Sequence, residues 1–253
     1  MLKFKNINII FVLLVLFLGF YSMKLFYIWF PLLLIFWIII TTIGSFHIRW
    51  NYFLPAKHFN HQIKKNQVAI TFDDGTNVEF TPKVLGILKK YQVKATFFLI
   101  GKHIEKYPNI VQQILDNGHL IGNHSYLHNN GFGFLKTKEV IKDISITQRL
   151  LKDKFNIENK LFRPPFGVTN PNIAKAVKSL NLQVIGWSVR SLDTKAKTVD
   201  EVMQRIIPKI KKGAVILLHD TSALSVEILE QLLQYLEEHQ LKSVTIDELF
   251  KEE

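Results

Sequence analysis

Val68-Ala69-Ile70-Thr71-Phe72-Asp73-Asp74-Gly75 is the stretch from which the rest of the chain can be read. Val68 to Phe72 is an apolar run without polar alternation, as expected for a strand buried on both faces. It ends in two adjacent carboxylates, where the strand gives way to a glycine. Similar short apolar runs recur at 95–100, 120–123, 161–163, 184–187, 214–218 and 243–246. Between them, 81–91, 104–117, 137–155, 171–180, 199–211 and 225–239 carry helical periodicity. Buried strands alternating with amphipathic helices predict an α/β fold with a parallel sheet covered by helices. About seven such units predict a closed, somewhat irregular (β/α) barrel. Chemistry in such folds gathers at the C-terminal ends of the strands. Asp73, Asp74, Arg163, Asp193 and His219 each fall at or just past such an end.

A second stretch, His124-Ser125-Tyr126-Leu127-His128, places two histidines four residues apart. On a helical turn both imidazoles would share a face and could reach one ion. One of the paired aspartates can supply a third ligand and the other can act as a base toward water at that ion. Two nitrogens and one carboxylate leave coordination positions open, the pattern of a catalytic site.

Three stretches together carry a family resemblance: Val68 to Gly75, Lys94-Ala95-Thr96-Phe97-Phe98-Leu99-Ile100-Gly101, and Gly118-His119-Leu120-Ile121-Gly122-Asn123 running into His124–His128. They closely resemble the polysaccharide deacetylases of the NodB-homology type, carbohydrate esterase family 4. The resemblance covers roughly residues 66–250. It implies a distorted (β/α) barrel and hydrolysis of N-acetyl groups from amino sugars of a polysaccharide or cell-envelope glycan. It further implies a divalent ion, Zn²⁺ before Co²⁺, Ni²⁺ or Mn²⁺, held by Asp74, His124 and His128, with Asp73 as the base.

Later fragments extend the resemblance. Arg163-Pro164-Pro165-Phe166-Gly167 resembles the third family motif. This implies that Arg163 orients the catalytic aspartate and that the Phe166 N–H is an oxyanion donor. Trp187-Ser188-Val189-Arg190-Ser191-Leu192-Asp193-Thr194 matches the fourth motif in part. Arg190 stands where the pattern has aspartate and Thr194 where it has tryptophan. Asp193, the partner of the catalytic histidine in the family, is kept, and Trp187 is counted with the substrate residues. Leu217-Leu218-His219-Asp220 resembles the fifth motif, with His219 as general acid and Leu217 lining the acetyl pocket.

Two other classes use some of the same residues. Two histidines and a carboxylate also hold Fe(II) in non-haem oxygenases. The departures at Arg190 and Thr194 would suit a catalytically impaired, membrane-anchored glycan-binding protein on the same scaffold.

The N-terminal region is of a different kind. Residues 7–46 are almost unbroken hydrocarbon, too long for a secretory signal and without a convincing cleavage site. One or two transmembrane helices are expected, at 7–23 and 25–46. The second run would be about 33 Å long, enough to span. Residues 1–50 are read as a membrane anchor, 51–65 as a linker and 66–253 as the deacetylase domain. The net charge is +11, of which residues 1–57 supply Lys3, Lys5, Lys24, Arg49 and Lys57 and no acid. That bias suits an acidic envelope or lipid surface. No dense basic block with interleaved aromatics is present, so nucleic acid is not an expected partner. The absence of cysteine excludes disulfides and thiolate chemistry. On a two-helix hairpin, Lys3, Lys5, Arg49, Lys57, Lys64 and Lys65 share one side, which the positive-inside rule would assign to the cytoplasm. A cell-envelope substrate requires the opposite, and the outward-facing domain is preferred on that ground.

Overall fold

The computed structural model describes residues 3–251. Its strands are β1 (Ala56–Lys57), β2 (Gln67–Asp73), β3 (Thr96–Leu99), β4 (Leu120–Asn123), β5 (Leu161–Phe162), β6 (Gln183–Ile185), β7 (Val189–Arg190), β8 (Val215–His219) and β9 (Lys242–Ser243). Eight of them lie in the order β1-β6-β5-β4-β3-β2-β8-β7, with every pair parallel, and β9 adds to the start of β2. β1 and β7 are the two edges and do not pair with each other. The sheet therefore curls into a half-barrel that stays open along one side, the distorted form of the expected barrel.

The helices are α1 (Phe4–Tyr21), α2 (Met23–Phe46), α3 (Phe80–Lys90), α4 (Gly101–Lys106), α5 (Pro108–Asp116), α6 (Thr137–Phe155), α7 (Pro171–Ser179), α8 (Val199–Ile206), α9 (Ala223–Glu238) and α10 (Ile246–Leu249). Alternation along β2 divides the interior. Val68, Ile70 and Phe72 pack outward with Leu85 and Leu88 of α3 and Leu229 and Leu232 of α9. Ala69 belongs instead to the cluster lining the concave side, with Phe98, Phe162, Trp187 and Leu217. Thr71 and Asp73 share its direction, because successive strand residues point to opposite faces.

Several boundaries differ from the sequence expectation. The helix expected over 104–117 is two, because Pro108 starts α5 and cannot continue α4. The helix expected over 199–211 ends at Ile206 and tightens into a 3₁₀ turn around Pro208. The strand expected at 243–246 stops at Ser243, and Thr245 caps α10 instead. β1 and β7, two residues each, are too short to show any alternation in sequence.

Residues 51–65, expected as a linker, are built into the body. Tyr52, Leu54 and Ala56 are buried. Ala56 pairs with Val184, and Phe59 bridges to Ala214. The Asn60 side-chain amide donates to Leu249 O at 2.6 Å, a contact 189 residues away in sequence. A polar, unpatterned stretch gave no hint of these partners, because each lies far along the chain.

The apolar N-terminal stretch forms two helices, α1 and α2, each long and apolar enough to cross a membrane. They break at Ser22, whose side chain accepts from Leu25 N. Trp37 Nε1 donates to Asn8 Oδ1 at 2.8 Å between them. The pair is seated directly on the body: Phe4 N donates to Tyr52 O and Thr169 N to Ser45 O, both at 2.9 Å. Gly44 lies flat against the Tyr52 ring, where a side chain would collide.

Candidate active site

Asp73 ends β2, an interior strand that lies between β3 and β8. Its register partner on β8 is His219. The concave face thus presents a carboxylate and an imidazole side by side from adjacent strands. Asp73 is almost fully buried, and Arg163, fully buried, donates to its Oδ1 at 2.6 Å. The rest of that guanidinium is also satisfied: Nη1 to Thr71 Oγ1 at 2.8 Å, Nε to Ile185 O at 3.1 Å and Nη2 to Gly186 O at 3.0 Å. Its planar face lies over Phe98, 4.1 Å from the centroid. A buried charge this well paired is held in a single orientation, and it fixes Asp73 with it.

Asp74, one residue on, has turned away into the left-handed region at φ 69°. Its Oδ1 is buried with no hydrogen-bond partner. His124 Nε2 lies 3.4 Å and His128 Nε2 3.3 Å from that oxygen. One ligand atom from each of the three residues falls within 4.8 Å of the others. In a tetrahedral site with bonds of about 2.0–2.2 Å, ligand atoms stand roughly 3.3–3.6 Å apart. An orphaned carboxylate oxygen facing two ring nitrogens at that spacing fits a divalent cation.

The histidines reach this position by a route the sequence did not indicate. Residues 124–128 are an irregular loop after β4, not a helical turn. Ser125 and His128 both have positive φ, 68° and 49°. Side chains replace the missing helical bonds: Asp143 Oδ1 accepts from Tyr126 N at 2.7 Å, and Ser125 Oγ from His128 N at 3.1 Å. Asp143, on α6, is the residue that shapes the loop, and its only sequence signal is a carboxylate on a helix face expected to be apolar. His124 Nδ1 donates to Arg163 O at 2.7 Å, which leaves Nε2 turned to Asp74.

Electrostatics follow from this crowding. Burial opposes the charge of Asp74, but His124, His128 and His219 outweigh it and hold the carboxyl well below the usual range. Burial and then repulsion from His124 push His128 down to about 4, so its lone pair is free at neutral pH.

His219 is organised from the other side. Its Nδ1 donates to Asp193 Oδ1 at 2.8 Å, and its backbone N donates to Asp193 Oδ2 at 2.8 Å. Ser191 Oγ donates to Asp193 Oδ1 at 2.7 Å and Ser225 Oγ to its Oδ2 at 3.4 Å. Burial would lower the histidine, but the hydrogen bond and charge of Asp193 prevail and raise it to about 9. The Nε2 faces the cleft, 3.8 Å from Asp74 Oδ2.

Phe166, at φ 59°, sits on the Arg163–Gly167 loop with its ring 4.8 Å from that of His128. Gly167, at φ 70°, lies against the Trp187 ring, where any side chain would collide. Leu217 lines the concave face two residues before His219. All ten residues singled out from the sequence thus fall around one cleft. Thr71, Asp143, Ser191 and Ser225 were missed; each is an ordinary polar residue whose partner lies on another element.

A family model described as polysaccharide deacetylase matches residues 60–185. The chain is 36% identical over 200 residues to a peptidoglycan-N-acetylglucosamine deacetylase of Bacillus cereus, covering 78% of this chain and 72% of that one. It is 33% identical over 194 residues to the peptidoglycan-N-acetylmuramic acid deacetylase PdaA of Bacillus subtilis, covering 75% and 73%. Among solved structures, the Bc1960 peptidoglycan N-acetylglucosamine deacetylase matches with a TM-score of 0.72 and 35% identity, over 78% of this chain and 93% of that one. With the motifs, the half-barrel and these likenesses in agreement, the chain belongs to the polysaccharide deacetylase family, carbohydrate esterase family 4, and its homologues in that family include metal-dependent hydrolases of carbon–nitrogen bonds other than peptide bonds.

Proposed function

We propose that this protein is a membrane-anchored deacetylase that hydrolyses N-acetyl groups on amino sugars of a cell-envelope glycan, releasing acetate. The observation that carries the reading is the double arrangement at the strand ends. Asp74 Oδ1 is orphaned between two imidazoles, and Asp73 and His219 stand opposite each other in the β2–β8 ladder, each with its own orienting partner. The two named relatives act on N-acetylglucosamine and N-acetylmuramic acid of peptidoglycan, which makes an N-acetylated envelope glycan the expected substrate here.

Asp74, His124 and His128 would hold the ion, with Zn²⁺ the best match to an N₂O donor set that leaves a position open. When bound, it supplies Lewis-acid polarisation of the acetyl carbonyl and makes water a stronger acid. Asp73, kept in orientation by Arg163, takes the proton from the attacking water. The carbonyl oxygen, as it becomes negative, is met by the Phe166 N–H. His219 then gives its Nε2 proton to the nitrogen as the C–N bond breaks, because an amide anion cannot leave near neutral pH. Asp193 keeps His219 charged and fixes the tautomer, since its carboxylate occupies the Nδ1 side. Leu217 and Trp187, neighbours in the apolar cluster on the concave side, would supply the apolar wall for the acetyl methyl.

The iron-oxygenase class has no use for the Asp73–Arg163 and His219–Asp193 pairs. The impaired-scaffold class rests on the departures at Arg190 and Thr194 alone; the five acid, base and ligand positions, Asp73, Asp74, His124, His128 and His219, are all kept, which favours the enzyme. The hairpin of α1 and α2 would anchor the domain in the bilayer, on its outer face.

The test is acetate release by the full chain in detergent from N-acetylated chito-oligosaccharide and peptidoglycan fragments, with and without a chelator. Activity abolished by the chelator and restored by Zn²⁺ or Co²⁺ is expected. Full activity in a metal-free preparation would remove the Asp74–His124–His128 assignment.

A further inference from the structure

The fourth family motif departs from its pattern at Arg190, where a cation replaces an aspartate, and the fold shows where that cation stands. β7 has only two residues, and they face opposite ways. Val189 is fully buried among the helices on the outer side of the sheet. Arg190 therefore points to the concave side, and it is exposed there. Its register partner on β8 is Leu217, two residues before His219. One residue after it, Ser191 holds Asp193. The edge strand thus delivers a guanidinium to the rim of the cleft in which the acetyl group would be cleaved.

That guanidinium is positioned without being neutralised. Its central carbon lies 5.4 Å from the centroid of the Trp187 ring, the ring that also backs Gly167. Among the described residues it makes no ion pair and no side-chain hydrogen bond. A guanidinium within cation–π range of an indole and free of any counter-charge can still offer its N–H fork to a carboxylate or phosphate, which it can bind bidentately. A neutral N-acetylated sugar offers it no such group.

We propose that Arg190 is a specificity-determining residue that selects glycans bearing an anionic group, a carboxylate or a phosphate, next to the N-acetyl sugar being cleaved. The proposal rests on the deacetylase reading above and goes further by naming the charge of the substrate.

The experiment uses the full chain in detergent, loaded with Zn²⁺, and three oligosaccharides of equal length. One is a neutral N-acetylglucosamine oligomer, one alternates with a lactyl-carboxylate sugar, and one carries phosphomonoesters. Acetate release from none of them would overturn the deacetylase reading itself. Equal kcat/KM on all three would overturn only the role of Arg190. The expected result is a preference of about tenfold or more for an anionic oligomer, weakened by added salt. Whether the carboxylate or the phosphate substrate is preferred identifies the source of the charge. Arg190→Ala is expected to cut the anionic-to-neutral kcat/KM ratio by about tenfold, mostly through KM. Arg190→Lys should keep part of the ratio and Arg190→Glu should invert it. A structural role through Trp187 would lower all substrates together and leave the ratio fixed, and that result would refute the proposal.

Discussion

Exchanging each of the two adjacent aspartates for asparagine separates their roles. Asp73→Asn keeps an oxygen for Arg163 but exchanges a charge-assisted hydrogen bond, now 2.6 Å, for a neutral one. The larger cost is the buried guanidinium left without its counter-charge, so roughly 3–5 kcal/mol of stability should be lost. Arg163 retains Thr71, Ile185 and Gly186, which limits the damage to the fold. The proton acceptor is gone, and turnover should fall by about 10²–10⁴. Metal binding should survive, because Asp73 Oδ2 is 3.8 Å from His124 Nε2 and is not the orphaned oxygen between the two rings. Asp74→Asn should do the reverse: the anionic ligand is lost, metal affinity drops, and activity returns in part at high Zn²⁺ concentration. The assay pairs bound metal by elemental analysis with acetate release and denaturant unfolding. If Asp73→Asn emptied the site while Asp74→Asn left it filled, the division of labour argued from these distances would be wrong.

Asp193→Asn removes the group that raises His219 to about 9. The acid form of His219 is the active one, so activity is lost as pH rises through its pKa; the variant's alkaline limb should move to lower pH, and an unmoved limb in kcat/KM against pH would refute the pairing. His119 is held down at about 4 by burial and then by Lys94. The unfolded chain, at about 6.5, binds the proton first, so stability present above pH 6.5 is lost as pH falls toward 4, by up to roughly 3 kcal/mol. His119→Gln should flatten that acid slope in urea titrations, and an unchanged slope would place the loss elsewhere. For topology, single cysteines at Lys24 and Lys138, both exposed, can be labelled in intact cells with an impermeant maleimide. Labelling at Lys138 alone is expected; labelling at Lys24 alone would put the domain inside.

The features legible in the sequence were those written in contiguous residues. Burial of both strand faces shows as an uninterrupted apolar run, and helices show as a 3.6-residue period, so the parallel α/β architecture follows directly from residues 67–250. The end of a strand is equally local, which is why Asp73, Asp74 and His219 could be placed at one rim of the sheet. The long hydrocarbon of residues 7–46 declares itself in the same way. Whatever depended on strand order was not legible. Asp73 meets Arg163 across 90 residues, and β2 lies beside β8 rather than β1, a crossover that no local pattern encodes. The histidine pair looked like a helical turn because spacing alone cannot reveal Asp143, whose carboxylate bends the loop and keeps it from becoming one. Residues 51–65 looked like a linker for the same reason: their partners, Val184, Ala214 and Leu249, are brought to them only by the folded sheet. The amino-acid sequence determined which chemical groups the protein owns and which elements carry them. The tertiary structure decided which of two neighbouring carboxylates faces the guanidinium and which faces the imidazoles, because side-chain contacts over such separations exist only once the half-barrel has closed around them.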